Sequence, residues 1–336
     1  MRHSEIVPMN RRRRISALAA LLVVLCTAIA CSAAMPSMVT GVGEPGLRLI
    51  APSVAGGGYD LTARSLARGW AAEDVVVDDV LVLPGSGGVV GLNRLALEQG
   101  NDRLLLVMGL GLVGALSTTP SDHSITDVTP IARLVTEPEV VLVPAASPLR
   151  TFADLLDRWR SDTSGLQFAG GSAEGGPDGL FRTQLARAVG VDPRASEYRV
   201  YDGGGELLPA LLTGQVDVAT TGVSEYLDQI ASGTVRVLAV SSAERIDGID
   251  APTVREQGVD LDFDNWRGIL APPGLPPDRV DALTAQVESL VESPVWQEIL
   301  LRNGWRDALL TGDDFASFLD EQADLVRTTI GPPTTG

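Results

Sequence analysis

Three consecutive glycines, Gly56, Gly57 and Gly58, stand between an apolar run (Leu47, Leu49, Ile50) and a stretch opened by Tyr59 and Asp60, in which Ala63, Leu66, Ala67 and Trp70 recur at helical spacing. That order is strand, bare-backbone loop and helix N-terminus. The first-turn amides of such a helix lack internal acceptors and carry the positive end of its dipole, and glycine leaves no side chain to keep an anion away. The chemistry this suits is capture of a carboxylate or phosphate. A plain turn with Asp60 as helix cap uses the same residues, so the loop alone leaves both readings open. Ser86 and Ser172 lie in two further glycine loops. Neither has the G-x-S-x-G spacing of a nucleophile elbow or an evident base, so each reads as a hydroxyl donor to a bound carboxylate.

Composition removes most alternatives. The chain of 336 residues has no lysine, which excludes Schiff-base chemistry and a Walker-type phosphate lysine. Its two histidines are His3 and His123. With His3 in the leader, only His123 is left for catalysis or metal binding, and its polar setting, SDHSITD, reads as a surface loop. The cysteines are Cys26 and Cys31, so no disulfide framework, thiolate nucleophile or cysteine metal site is expected in the body. Without residues 1–30 the chain has 21 basic and 42 acidic residues, a formal charge of −21 that repels nucleic acid. Asp78 with Asp79, and Asp262 with Asp264, read as solvated surface rather than acid–base pairs. Gly109, Gly111 and Gly114 fit the dinucleotide fingerprint by letter after the strand-like Leu104–Met108, but no acidic residue is clearly placed about twenty positions on. No cofactor, metal or catalysis is expected.

The N-terminal residues read as an export signal over 1–30: an arginine cluster (Arg11 to Arg14), an apolar run from Ile15 to Ile29, and small residues before Cys31. The sequence Ala28-Ile29-Ala30-Cys31 is similar to a bacterial lipobox with Ala28 in place of the usual Leu, so Cys31 is the expected lipidation site and 31–45 a lipid-anchored linker. Beyond it, short β-branched runs (75–83, 104–108, 140–143, 166–169, 198–201, 216–220, 235–240) alternate with helical patterns, and the chain is helical after Pro276. This predicts an α/β fold with largely parallel sheets. Glycine clusters at 56–58, 85–88, 109–111, 170–176 and 203–205 follow several of these strands, where open α/β sheets bind ligands. Five loops converging on one cleft is the expectation.

Eight segments in order resemble the substrate-binding (Bug) receptors of tripartite tricarboxylate transporters. They are AGGGYDLTAR (55–64), PGSGGVVG (84–91), ITDVTPIARL (125–134), GGSAEGGPDGL (170–180), YRVYDGGGELLPALLTGQVDV (198–218), GTVRVLAVSSAER (233–245), APTVREQG (251–258) and WRGILAPPGLP (266–276). Two departures stand out: Val82-Leu83 replace the family's usual Asn, and Asp202 replaces the common Lys before Gly203.

The resemblance implies a two-lobed type II periplasmic-binding-protein-like (Venus flytrap) α/β fold with a hinge and an interlobe cleft. Residues 46–140 plus 241–331 form lobe 1 and 141–240 form lobe 2. It implies a non-enzymatic, extracytoplasmic receptor, held to the outer face of the membrane by its lipid, that delivers a small carboxylate to permease subunits as a monomer. A sensory module reporting the ligand to a partner receptor is the alternative. The ligand-binding residues expected are Ala55, Gly56, Gly57, Gly58, Tyr59 and Ser86 on one lobe and Gly171, Ser172, Ala173, Gly176, Gly203 and Gly204 on the other. Asp60 and Arg64 are expected to support the first helix. No arginine lies within these loops, so the grip is expected from amides, hydroxyls and water.

Overall fold

The apolar runs assemble into two sheets that share one strand. In the computed structural model, which describes residues 45–331, β1 (Leu47–Ala51), β2 (Val77–Val82) and β3 (Leu104–Gly109) run parallel in the order β2-β1-β3. β9 (Asp264–Ala271) lies antiparallel between β3 and β4 (Thr129–Pro144), and β10 (Arg306–Thr311) pairs antiparallel with β4. In the second sheet β5 (Phe168–Gly170) is parallel to both β6 (Tyr198–Val200) and β7 (Val218–Gly222). β7 and β8 (Val235–Val240) run antiparallel to the last third of β4. The signal segment, Cys31 and the linker through residue 44 lie outside the described residues.

The sheets are therefore mixed where the alternation predicted largely parallel ones. The expected strand at 140–143 extends back to Thr129, a total of 16 residues. Pro130, Pro138, Glu137 and Glu139 break its apolar pattern, and register shifts after Pro130 and Arg133 absorb the irregularity. β9 and β10 were not distinguished as strands from the sequence.

Ten helices cover the sheets: α1 (Gly58–Ala72), α2 (Val89–Ala96), α3 (Leu110–Thr118), α4 (Phe152–Ser161), α5 (Pro177–Ala188), α6 (Gly204–Leu212), α7 (Leu227–Ala231), α8 (Pro277–Glu292), α9 (Pro294–Asn303) and α10 (Gly312–Ile330), counted among the described residues. One face of the first sheet (Leu49, Leu105, Val107, Leu134) packs on Trp70, Leu290, Trp296 and Ile299 from α1, α8 and α9. A face of the second sheet (Val140, Leu142, Ala219) packs on Leu207, Leu211 and Tyr226. A third cluster runs through both parts, joining Ile50, Leu106 and Met108 to Val141, Phe168 and Phe181. Truncating a fully buried Trp such as Trp70 or Trp296 to Ala removes roughly 3–5 kcal/mol at such sites.

The topology places the site. β1 is followed in the chain by β2 on one side and β3 on the other, and β5 by β6 on one side and β7 on the other. Each sheet therefore has a switch point where successive loops diverge and leave a crevice at the carboxyl ends of the strands. Ser241 ties together the two segments that pass between the sheets: its Oγ accepts from Glu139 N at 2.8 Å and donates to the Phe263 carbonyl.

Candidate functional site

A cleft of about 550 Å³ opens at both switch points, and each of the five glycine clusters contributes to its wall. Gly57, Gly58 and Tyr59 follow β1, Ser86 follows β2, Gly111 follows β3, Gly171 to Ala173 follow β5 and Gly203 follows β6. Among the residues expected from sequence, Gly57, Gly58, Tyr59, Ser86, Gly171, Ser172, Ala173 and Gly203 line this cleft. Ala55 and Gly56 are exposed beside it, and Gly176 and Gly204 are buried behind the lining.

The loops after β1 and β5 are built by the same device. In the first, Ser53 Oγ accepts from Asp60 N at 3.3 Å and Asp60 Oδ2 accepts from Gly56 N at 2.8 Å. In the second, Ser172 Oγ accepts from Asp178 N at 3.2 Å and Asp178 Oδ2 accepts from Gly171 N at 2.6 Å. A carboxylate in the first turn thus folds each loop back over its helix, where it also faces the positive end of the dipole. Burial alone would raise the Asp60 carboxyl, but hydrogen bonds from Arg64 and from Gly56 outweigh it and hold the group below its ordinary value. Arg64 Nε bonds Asp60 at 2.9 Å, in keeping with the supporting role expected of the pair. The capping position itself falls to Gly57, with Asp60 three residues into the helix.

Internal bonds consume many of the amides that sequence reasoning offered to a ligand. Gly57 N donates to Val54 O, Gly176 N to Ala173 O, Gly203 N to Gly171 O and Gly204 N to Glu225 Oε2. With Gly56 and Gly171 already bonded to Asp60 and Asp178, these glycines shape the loops. Among the described residues, the amides of Gly58 and Tyr59, and across the cleft those of Ser172 and Ala173, have no hydrogen-bond partner.

The residue that sequence reasoning missed is Arg267. It reaches the cleft from β9, 4% exposed, with Nη1 paired to Glu137 of β4 and its guanidinium 5.6 Å from the Trp305 ring. Glu137 is fully buried, and its Oε1 accepts from Ser224 N at 2.7 Å. A methyl group on Gly58 would stand 2.5 Å from Arg267 Nη2, so the missing side chain is what lets the guanidinium lie against the start of α1. Burial opposes the arginine's charge, but Glu137 and Glu225 outweigh it and its pKa is raised. Two free amides and a fixed cation therefore converge at one end of the cleft. A signal was present in the sequence: Arg267 interrupts a run from Trp266 to Ala271 that is otherwise apolar or glycine, and a charge in a buried strand needs a purpose.

Acidic groups crowd the other side. Burial pushes the Asp178 carboxyl up to about 6, opposed by the bonds from Ser172 and Gly171. Burial pushes Glu225 up to about 7, helped by the charges of Asp178 and Glu137. Glu139, fully buried with no hydrogen bond to either carboxyl oxygen, is raised far above the ordinary range by burial and then by neighbouring Asp178 and Glu137. Tyr59 is pushed by burial to about 12, although its hydroxyl oxygen accepts from Leu112 N at 2.9 Å.

The fingerprint-like glycines serve packing. A side chain on Gly109 would overlap the Trp266 carbonyl, one on Gly111 would stand 2.8 Å from the Tyr59 hydroxyl, and one on Gly114 would overlap the Gly175 carbonyl. Among the described residues no group of three His, Cys, Asp or Glu side chains is arranged to hold a metal ion.

Two sheets bridged by a shared strand, each with its switch point on a common cleft, define a two-lobed solute-binding protein. The sequence model of the tripartite tricarboxylate transporter family receptor matches residues 63–331, and the chain belongs to that family, as the eight segments implied. It is 27% identical over 267 residues to the UPF0065 protein in the tcbD-tcbE intergenic region of Pseudomonas sp. (strain P51), covering 77% of each chain. The structure is similar to that of the periplasmic binding protein BugD, with a TM-score of 0.75 and 26% identity over 87% of this chain and 100% of that one. It also shares its fold with MatC from Rhodopseudomonas palustris with bound malate, with a TM-score of 0.73 and 23% identity over 86% of this chain and 99% of that one.

Proposed function

We propose that this chain is an extracytoplasmic receptor, tethered through Cys31, that closes on a small carboxylic acid and delivers it to the permease subunits of a tripartite tricarboxylate-type transporter. Residues 46–140 with 241–331 form one lobe and 141–240 the other, since β4 exchanges its sheet partners near Glu139 and the chain returns at Ser241. The observation that carries the reading is the convergence of the Gly58 and Tyr59 amides with Arg267 in the cleft. A carboxylate there takes charge-assisted hydrogen bonds from a buried guanidinium and two unbonded amides, and Ser172 and Ala173 reach it from the opposite lobe only when the lobes are together. The receptor family and the malate bound by MatC point the same way. The surface is acidic overall, but screening confines that charge to about 8–10 Å, so it does not annul a local anion site.

The test is isothermal titration and thermal unfolding of the purified chain against carboxylic acids, amino acids, neutral sugars and nucleotides. Acids are expected to bind and to add about 2.7 kcal/mol of stability at a hundredfold excess over Kd. Stabilisation by sugars or nucleotides alone overturns the reading.

A further inference from the structure

The charged side chains lining the cleft are unevenly divided. Arg267 is the one cation, whereas Asp178, Asp202, Glu206 and Glu225 are four acids, all from the lobe opposite the Gly58 loop. Asp178 and Glu225 each commit one oxygen to a loop amide, Gly171 N at 2.6 Å and Gly204 N at 2.7 Å. Among the described residues the Asp178 carboxyl has no donor beyond Gly171 N, the Ser172 side chain and its own amide, and no group donates to Glu225 Oε1. The two ends are close together: a methyl on Gly203 would stand 3.8 Å from Gly57 Cα and 4.0 Å from Glu225 Oε2.

Resting on the carboxylate reading above, we infer that the ligand is a short acid with unlike ends. Its single carboxylate meets Arg267, Gly58 and Tyr59, and a hydrogen-bond-donating group, ammonium or hydroxyl, meets Asp178 and Glu225. A second carboxylate at that end is disfavoured, because it would be desolvated against like charge with no cation to answer it. The groups facing Asp178 and Glu225 are Glu137 and Glu139 of β4, Arg267 of β9, Tyr198 of β6 and Tyr226, and of these Arg267 alone carries positive charge. Arg267 is already paired with Glu137, so the pocket has no spare cation for a second anionic group. Family relatives that take dicarboxylates would then differ at these positions of their clefts.

Matched acids of four to six carbons test this with the full chain in mild detergent: for each length a plain monocarboxylate, the α,ω-dicarboxylate, the ω-hydroxy acid and the ω-amino acid. The hydroxy or amino member is expected to bind at least tenfold tighter than the dicarboxylate of equal length. Which of the two leads separates the sources of the donor. An amino acid displaces protons from Asp178 and Glu225, so its binding heat changes with the ionisation heat of the buffer at pH 6.5, and a hydroxy acid gives no such release. Glu225→Gln keeps an acceptor for Gly204 N and is expected to close the tenfold gap. A dicarboxylate that binds as tightly as its donor-ended partner overturns the inference and leaves the carboxylate reading standing. Donor-ended members that fail to bind also overturn it. Binding confined to neutral sugars or nucleotides overturns both.

Discussion

Arg267 and Glu137 illustrate what a single buried pair does in this cleft. The glutamate holds the arginine from behind through Nη1, Ser224 N bonds the glutamate's other oxygen, and the remaining guanidinium edge lies against Gly58. Removing one partner leaves the other charged and unpaired, a loss of about 3–5 kcal/mol, whereas replacing both with apolar residues is close to neutral. Arg267→Met is therefore expected to lower Tm by several degrees and to abolish acid binding. Arg267→Met with Glu137→Leu should recover most of the Tm and none of the binding, as thermal unfolding and titration together will show. The raised acids give a second prediction. A carboxyl whose folded pKa exceeds its unfolded value stabilises the fold while protonated, and that contribution is lost as pH rises through the folded value. With ordinary values near 4 in the unfolded chain and folded values near 6 for Asp178 and near 7 for Glu225, Tm is expected to fall between about pH 4 and pH 7 and to level off above that, and Glu225→Gln should flatten the upper part of that profile.

At the scale of elements, the start of α1 leaves two amides, those of Gly58 and Tyr59, unbonded at the cleft, where the proposed ligand would meet them. Gly57 occupies the capping position at φ −75° and ψ 167°, a backbone conformation an L-residue adopts freely. A Cβ there would stand 3.1 Å from Ser53 Oγ and 3.2 Å from the Val54 carbonyl, so the gain from a favoured aspartate cap is offset by crowding, and Gly57→Asp is expected to change stability by no more than about 1 kcal/mol while its carboxylate abolishes anion binding. Unchanged affinity in this variant would reduce the loop to a turn. Strand, glycine loop and helix were legible here because local chemistry dictates all three. The convergence of five such loops followed from their repeated place after strands. What the sequence concealed was non-local. Whether a glycine amide is free depends on whether Asp60, Asp178 or Glu225 reaches it, and Glu225 lies 21 residues from Gly204. β4 was hidden by its prolines and buried glutamates, and β9 by an arginine whose partner lies 130 residues away. The lipid anchor at Cys31 lies outside the described residues and stays a sequence expectation.

At the scale of the whole molecule, the proposed closure would bring the two loop systems face to face, and a close backbone contact away from the cleft lining is the candidate stop on their approach. Gly114 in α3 meets Gly175, in the loop leading to α5, backbone to backbone, with no room for a side chain. Neither residue lines the cleft. A valine at 114 should therefore act on closure and leave the ligand's contacts unaltered. Overpacking of this kind costs about 1–3 kcal/mol, and here the cost falls on the closed state alone, because separated lobes relieve it. Since affinity is diluted by the fraction of molecules able to close, Gly114→Val is expected to weaken binding roughly ten- to a hundredfold. Its unfolding transition in the absence of ligand should stay cooperative, and small-angle scattering should show a radius of gyration that ligand reduces only at roughly ten- to a hundredfold higher concentration than in the parent chain. Gly205→Ala is the control: a methyl there meets nothing within 4 Å, so affinity and scattering should match the parent chain. If Gly114→Val binds as the parent does, the contact between α3 and the Gly175 loop is not a stop on lobe closure, and the position of the closed state must be set at the hinge around Glu139 and Ser241.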